Sequence, residues 1–199
     1  GYVHCNDLIV GADSHTCTYG ALGAFSTGIG STDMAAAMLT GKLWFQVPKG
    51  IQVVVKGKKN PWVSGKDVIL WLLKKIGVNG ADYASVEFTG AIEELTVDDR
   101  LTICNMAVEA GAKNAVFPVD EVAAEYLKKT GAQKGITFET ADAGAYDKII
   151  ELDLSEIEPV VAFPGKPDNG KCFSEFGKVK LDQIVIGSCT NGRLSDIKT

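Results

Sequence analysis

Apolar residues recur along the chain in short, separated blocks. Leu8, Ile9 and Val10 form the first, closed by Gly11, and predict a strand over 7–12. A glycine-rich stretch follows, with Gly20, Gly23, Gly28 and Gly30. Ser31, Thr32 and Asp33 then cap a predicted helix to about Gly41, because their side chains satisfy free amides at a helix start. The β-branched run from Ile51 to Val55 predicts a strand within 46–56. Ser64 and Asp67 have capping-box spacing. Val68, Ile69, Leu72, Leu73 and Ile76 follow at helical intervals, and Gly77 stops the helix. A strand is predicted over 85–88. Thr96 and Asp99 repeat the capping spacing and open a helix to about Gly111. A strand over 115–117, a helix over 120–130 and a strand over 148–152 come next. Residues 159–163 read as extended and 165–170 as turns. An apolar strand over 182–187, a turn over 188–192 and a helix start complete the pattern. Strands alternate with helices throughout, which predicts an α/β fold. No internal repeat or low-complexity tract interrupts it.

Composition narrows the function classes. The 199 residues are 46% hydrophobic and 23% charged, enough to bury a real core. A net charge of −5 argues against a general phosphate-backbone binder, so no nucleic-acid partner is expected. No run approaches the about 18 apolar residues of a membrane span, so no membrane partner is expected either. The 22 glycines ask for tight turns and close backbone approaches. The chain opens without Met or a signal pattern and stops inside a predicted helix, and so reads as part of something longer. Cys5, Cys17, Cys104, Cys172 and Cys189 are odd in number and include no CxxC pair. A disulfide framework or zinc ribbon is therefore not expected, and a reducing cytoplasm is.

Three segments carry candidate chemistry. Asp13, Ser14 and His15 follow the first strand, at the strand end where α/β proteins bind ligands. A polar turn explains them equally well. Neighbouring residues cannot converge as a Ser-His-Asp triad, and no GxSxG is present. Asn105 and Glu109 are four apart, so a helix places them on one face, among small residues. A solvent-facing pair is the plainer alternative. Cys189 lies between an apolar strand and a helix start, near free backbone amides that favour an anion or thiolate. Gly165 to Lys171 matches GxxxxGK but ends in Cys172 where a phosphate loop has Ser or Thr. Gly28 to Asp33 likewise misses GxGxxG.

Taken together, the segments Gly11-Ala-Asp-Ser-His-Thr, Asn105-Met-Ala-Val-Glu-Ala-Gly-Ala and Gly187-Ser-Cys-Thr-Asn resemble the aconitase superfamily of iron–sulfur hydro-lyases. They stand in family order and span nearly the whole chain. The form around Thr16-Cys-Thr-Tyr-Gly-Ala-Leu-Gly23 is most similar to the two-chain isopropylmalate dehydratase and homoaconitase branch. The resemblance implies aconitase-type three-layer α/β domains with short mixed or parallel sheets. It divides the chain into the C-terminal part of a first domain (1–48), a second domain (49–156) and the start of a third (157–199). It also implies a [4Fe-4S] cluster held by three cysteines, with one iron open to substrate. Cys189 matches the first ligand, and the other two are expected beyond Thr199.

The implied roles follow by position. Asp13 and His15 hydrogen-bond the hydroxyl or water at the open iron. Ser14 contacts a substrate carboxylate. Asn105 and Glu109 bond that same oxygen and support its changes of protonation. The carbon-side base belongs to a swivelling domain, carried in the two-chain enzymes by a separate small subunit. That subunit and a small hydroxy-acid substrate are the expected partners. The family's substrate arginines are not identifiable, and neither Arg100 nor Arg193 receives a catalytic role. Leucine-pathway dehydration of isopropylmalate, action on a longer homologous acid, and an inert fragment lacking the cluster all stay open.

Overall fold

The computed structural model describes residues 1–132, 142 and 144–198. Its elements in chain order are β1 (Leu8–Gly11), β2 (Phe25–Gly28), α1 (Ser31–Thr40), β3 (Lys49–Lys56), α2 (Gly65–Ile76), β4 (Ala84–Gly90) and α3 (Val97–Met106). They continue as β5 (Asn114–Val116), α4 (Glu121–Lys129), β6 (Lys148–Asp153), β7 (Val160–Ala162), β8 (Gly170–Cys172) and α5 (Leu194–Lys198). A 3-10 segment, Ser14–Leu22, links β1 to β2. The α/β class expected from the pattern is what forms.

The central sheet has the order β5-β4-β3-β6, with every neighbouring pair parallel. Parallel neighbours need crossover connections, and α2 and α3 supply them between β3, β4 and β5. The sheet buries alternate residues: Ile51, Val53 and Val55 on β3, Val86 and Phe88 on β4, Ile150 and Leu152 on β6. They join Val68, Ile69, Leu72 and Leu73 of α2 and Ile103 of α3 in one core. Each such side chain contributes about 1.5–3 kcal/mol when fully buried. Phe88 stacks on Phe117 with centroids 4.7 Å apart. A smaller core holds α4 through Ala123, Ala124 and Leu127 against Leu22, Val97 and Val119. Among the described residues no helix is long and apolar enough to cross a membrane.

Both capping boxes form, and each carboxylate does a second job. Asp67 Oδ2 accepts from the amide and hydroxyl of Ser64, while its Oδ1 accepts from the amide of Val160 at 2.8 Å. Asp99 Oδ2 accepts from the amide and hydroxyl of Thr96 and from Lys59 Nζ, and its Oδ1 accepts from the Gly65 amide at 2.6 Å. Asp99 thus ties the starts of α2 and α3 together. Arg100 is fully buried one residue on. Its Nε and Nη2 donate to the carbonyls of Leu95 and Ile92, and its Nη1 and Nη2 grip both oxygens of Asp120. That pair locks α3 to the start of α4.

The local pattern differs from the structure in six places. Gly30, not Ser31 to Asp33, occupies the cap of α1, with Asp33 in the first turn. The helix opened by Thr96 tightens to 3-10 at Ala107–Ala110 before Gly111 ends it with φ 82°. The glycine-rich stretch after β1 is a capped 3-10 segment. β2 and β8 form where no strand is predicted; β8 contains Lys171 and Cys172, so the GxxxxGK match runs into a strand and a short 3-10 turn where a phosphate loop has a helix. The predicted strand over 182–187 finds no ladder among the described residues, and Ile184, Val185 and Ile186 are exposed. Apolar composition favours a strand, but only a neighbouring edge can satisfy its backbone.

Candidate active site

The Asp13 loop is held by tight backbone packing. β1 pairs with β2 in parallel register, Gly11 opposite Gly28. A methyl group on Gly28 would stand 2.6 Å from the Asp13 carbonyl oxygen and 2.7 Å from Ser14 Cα. Only glycine lets the end of β2 lie this close to the loop. Gly20 plays the same part further along: a Cβ there would meet the Ala115 carbonyl oxygen at 1.7 Å. The 3-10 segment therefore lies directly on β5, with the Phe117 amide donating to the Gly20 carbonyl.

Asp13 caps that segment. Its Oδ1 accepts from the His15 amide at 2.6 Å, and its backbone carbonyl accepts from the amide and hydroxyl of Thr16. Asp13 and Ser14 are exposed, and His15 is half-buried. His15 Nδ1 lies 2.9 Å from the Asn105 carbonyl oxygen. A carbonyl only accepts, so Nδ1 carries a hydrogen and Nε2 is the ring nitrogen left for another partner.

Asn105 is buried at the C-terminal end of α3 and uses both ends of its amide. Nδ2 donates to Thr18 Oγ1 at 2.8 Å and to the Cys189 carbonyl at 3.4 Å. Oδ1 accepts from Thr190 Oγ1 at 2.7 Å. This side chain, expected to reach an oxygen of the reacting group, ties the two other motifs together. The structure thus brings Asp13, Ser14, His15, Asn105 and Cys189 into one neighbourhood across some 180 residues of sequence. Glu109 is half-buried on the 3-10 turn after α3 and joins none of these hydrogen bonds among the described residues. The tightening at Ala107 rotates it away from the i+4 position that a continuous α-helix would give.

Around Cys189 the expected free amides are already occupied. The Thr190 and Asn191 amides donate to Ser188 Oγ, and those of Gly192 and Arg193 to Asp196 Oδ2. Cys189 itself is exposed, with Thr190 Oγ1 4.0 Å from its sulfur. The nearby thiols differ. Burial pushes Cys17 up to about 11 and Cys104 well above its ordinary value, so both stay protonated and serve as small core groups. Among the described residues no three His, Cys, Asp or Glu side chains gather as a metal site. The donor set present therefore fits one corner of an iron–sulfur cluster, an exposed thiol beside a polar loop, and not the whole.

Several residues at the site were given no role by the sequence, although Thr18 and Thr190 lie inside two of the motifs. Thr18, Thr102, Thr190 and Arg193 all enter the hydrogen-bond set. Ser14, Lys42 and Lys113 share the wall of a cavity of about 900 Å³. Lys113 is fixed there over the Tyr83 ring, 5.1 Å from its centroid. A lysine two residues beyond Gly111 in the second motif could have drawn attention by position alone.

Known proteins resemble this chain along its whole length. Large subunits of 3-isopropylmalate dehydratase are similar along the entire chain: those of Clostridium kluyveri and Syntrophus aciditrophicus are each 58% identical, over 199 and 200 residues. That of Caldanaerobacter subterraneus is 58% identical over 198. In each case the match covers all of this chain and 47% of the relative, so the chain spans about half the length of the curated relatives it matches. The model of the aconitase family (aconitate hydratase) matches residues 1–178, which takes in the Asp13 and Asn105 motifs and stops before Cys189. The chain belongs to the aconitase family.

Proposed function

We propose that this chain is part of the large, catalytic subunit of a two-chain iron–sulfur hydro-lyase. Its reaction is the interconversion of 2-isopropylmalate and 3-isopropylmalate by dehydration and rehydration, in leucine biosynthesis. The observation that carries the site reading is the hydrogen-bonded set joining His15, Asn105 and Thr190 beside the exposed Cys189 thiol. The similarity to dehydratase large subunits supports the substrate. The division at 48/49 and 156/157 and a cytoplasmic setting belong to the same proposal.

Loss of a hydroxyl group needs an electron-pair acceptor on the departing oxygen and a proton donor beside it. A [4Fe-4S] cluster, with Cys189 as one of three thiolate ligands, supplies the Lewis acid when bound. The remaining work falls to side chains. His15, with Nδ1 fixed on the Asn105 carbonyl, holds or releases a proton at Nε2. Asp13 keeps His15 in place through its amide and presents its second oxygen to the departing hydroxyl. Ser14 hydrogen-bonds a substrate carboxylate, with Lys42 and Lys113 supplying positive charge on the same cavity wall. Asn105 holds the Cys189 turn against the Asp13 loop, and Glu109 supports proton movement from the adjoining turn. The small subunit brings the carbon-side base.

The test uses the full-length large subunit with its small subunit. Asp13→Asn, His15→Ala and Glu109→Gln each lose turnover while the circular dichroism stays parental. Near-normal rates in all three refute the assigned roles. Turnover on a longer homologous hydroxy acid exceeding that on isopropylmalate refutes the substrate assignment. The 199-residue chain alone is expected to be inactive, with one cluster thiolate and no second subunit.

A further inference from the structure

One face of α3 grips the turn that carries Cys189. Asp98, Thr102 and Asn105 stand at i, i+4 and i+7, so they form a single stripe along the helix. Asp98 Oδ2 accepts from the Ser195 hydroxyl, and its Oδ1 lies 3.8 Å from Arg193 Nε. Thr102 Oγ1 donates to the Thr190 carbonyl at 3.0 Å and accepts from Arg193 Nη1 at 3.0 Å. The same Nη1 donates to the Thr190 carbonyl, also at 3.0 Å. Both acceptor positions of that carbonyl are therefore taken. Asn105 completes the grip by accepting from the Thr190 hydroxyl and donating to the Cys189 carbonyl.

Among the described residues the upstream side offers nothing equivalent. Residues 176–187 belong to no helix or strand, and their apolar run is exposed. The direction of the Cys189 thiol thus depends on contacts made from α3 and from within the turn. Arg193 suits this role, because its planar fork meets α3 at two points, Nη1 on the Thr102 hydroxyl and the Thr190 carbonyl and Nε facing Asp98 Oδ1, which the single nitrogen of a lysine cannot do.

We infer that Thr102 and Arg193 are positioning residues, whose shared hold on the Thr190 carbonyl fixes the Cys189 thiol beside Asn105 and the 13–18 loop. This rests on the reading of Cys189 as a cluster ligand. It makes Arg193 a residue of the thiolate mount and leaves recognition of substrate carboxylates to other groups.

The test compares Thr102→Val, Thr102→Ser and Arg193→Gln by amide hydrogen exchange on the 199-residue chain. Each hydrogen bond lost should raise exchange of amides in 188–193 by about fivefold. The amides of β3 and β4 should be unchanged, and Thr102→Ser should return the turn to parental exchange. In the full-length protein, Thr102→Val and Arg193→Gln should also lose the visible absorbance of the cluster faster in the presence of a chelator. Parental exchange in both variants, a uniform rise across the whole chain, or failure of Thr102→Ser to restore it overturns the inference. A full-length protein that binds no cluster refutes the proposed function instead, and the exchange comparison still decides the clamp.

Discussion

Cutting the carboxylate from Asp120 strands a buried cation. Arg100 has no exposed side-chain surface, while Asp120 is 24% exposed and meets the guanidinium with both oxygens. Removing one partner of such a pair costs about 3–5 kcal/mol, because the remaining charge stays out of water. Asp120 Oδ1 also accepts from the Ala123 amide at the start of α4, a cap worth about 1 kcal/mol. The same oxygen serves both contacts, so the losses overlap, and Asp120→Ala is expected to cost about 4 kcal/mol in total. Asp120→Asn keeps the one oxygen that caps α4 and accepts from Nη1, but it leaves the buried charge unpaired and sets an NH2 donor against Nη2, so it should spare only the cap's share of about 1 kcal/mol. Urea unfolding of the chain, followed by far-ultraviolet circular dichroism at neutral pH, reads both values. Adding Arg100→Met to Asp120→Ala removes the stranded charge and should recover part of the loss. A cost below about 1 kcal/mol for Asp120→Ala, or a double variant that loses the full sum of the two single changes, refutes the picture of a desolvated pair.

The same pair gives a pH dependence with a definite sign. Burial alone raises the Asp120 carboxyl, but the hydrogen bonds from Arg100 and from the Ala123 amide outweigh it and leave the pKa lowered. The folded value thus lies below the unfolded value of about 3.9. The stabilisation is fully present above the unfolded value and is lost as pH falls through the folded one. Asp120→Asn should accordingly show a flatter loss of stability at acid pH.

Three further outcomes follow from packing and burial. Gly28→Ala should displace the Asp13–Ser14 backbone and lower turnover of the full-length enzyme more than it lowers thermal stability; an unchanged rate contradicts the close approach. Thr96→Ala removes the acceptor for the Asp99 amide and should cost about 1 kcal/mol, measured by urea unfolding. Iodoacetamide should label Cys189 well before Cys17 at neutral pH, because burial holds the Cys17 thiol at about 11; peptide mass spectrometry that finds equal rates refutes this.

How much was legible in advance depended on the range of the interaction. Capping is an i to i+3 event, so Ser64/Asp67 and Thr96/Asp99 announced α2 and α3 from four letters each. Their second partners, Val160 for Asp67 and Gly65 for Asp99, lie on other elements and left no local trace. Arg100 looked like any charged residue until Asp120 was placed against it. The Asp13, Asn105 and Cys189 motifs were recognisable one by one, but what Asn105 does with its amide was not. The i+4 logic that paired it with Glu109 assumed a continuous α-helix, and α3 changes pitch between them.

The sequence by itself determined the alternation of strands and helices, the helix starts, the α/β class and the chemical character of the three motifs. All of these rest on neighbours in the chain. The tertiary structure decided the order β5-β4-β3-β6, the 3-10 course of the glycine-rich stretch and, among the described residues, the lack of a ladder for the apolar run at 182–187. Those depend on which distant backbone groups find partners, and a backbone amide or carbonyl is the same group in every residue that could pair with it.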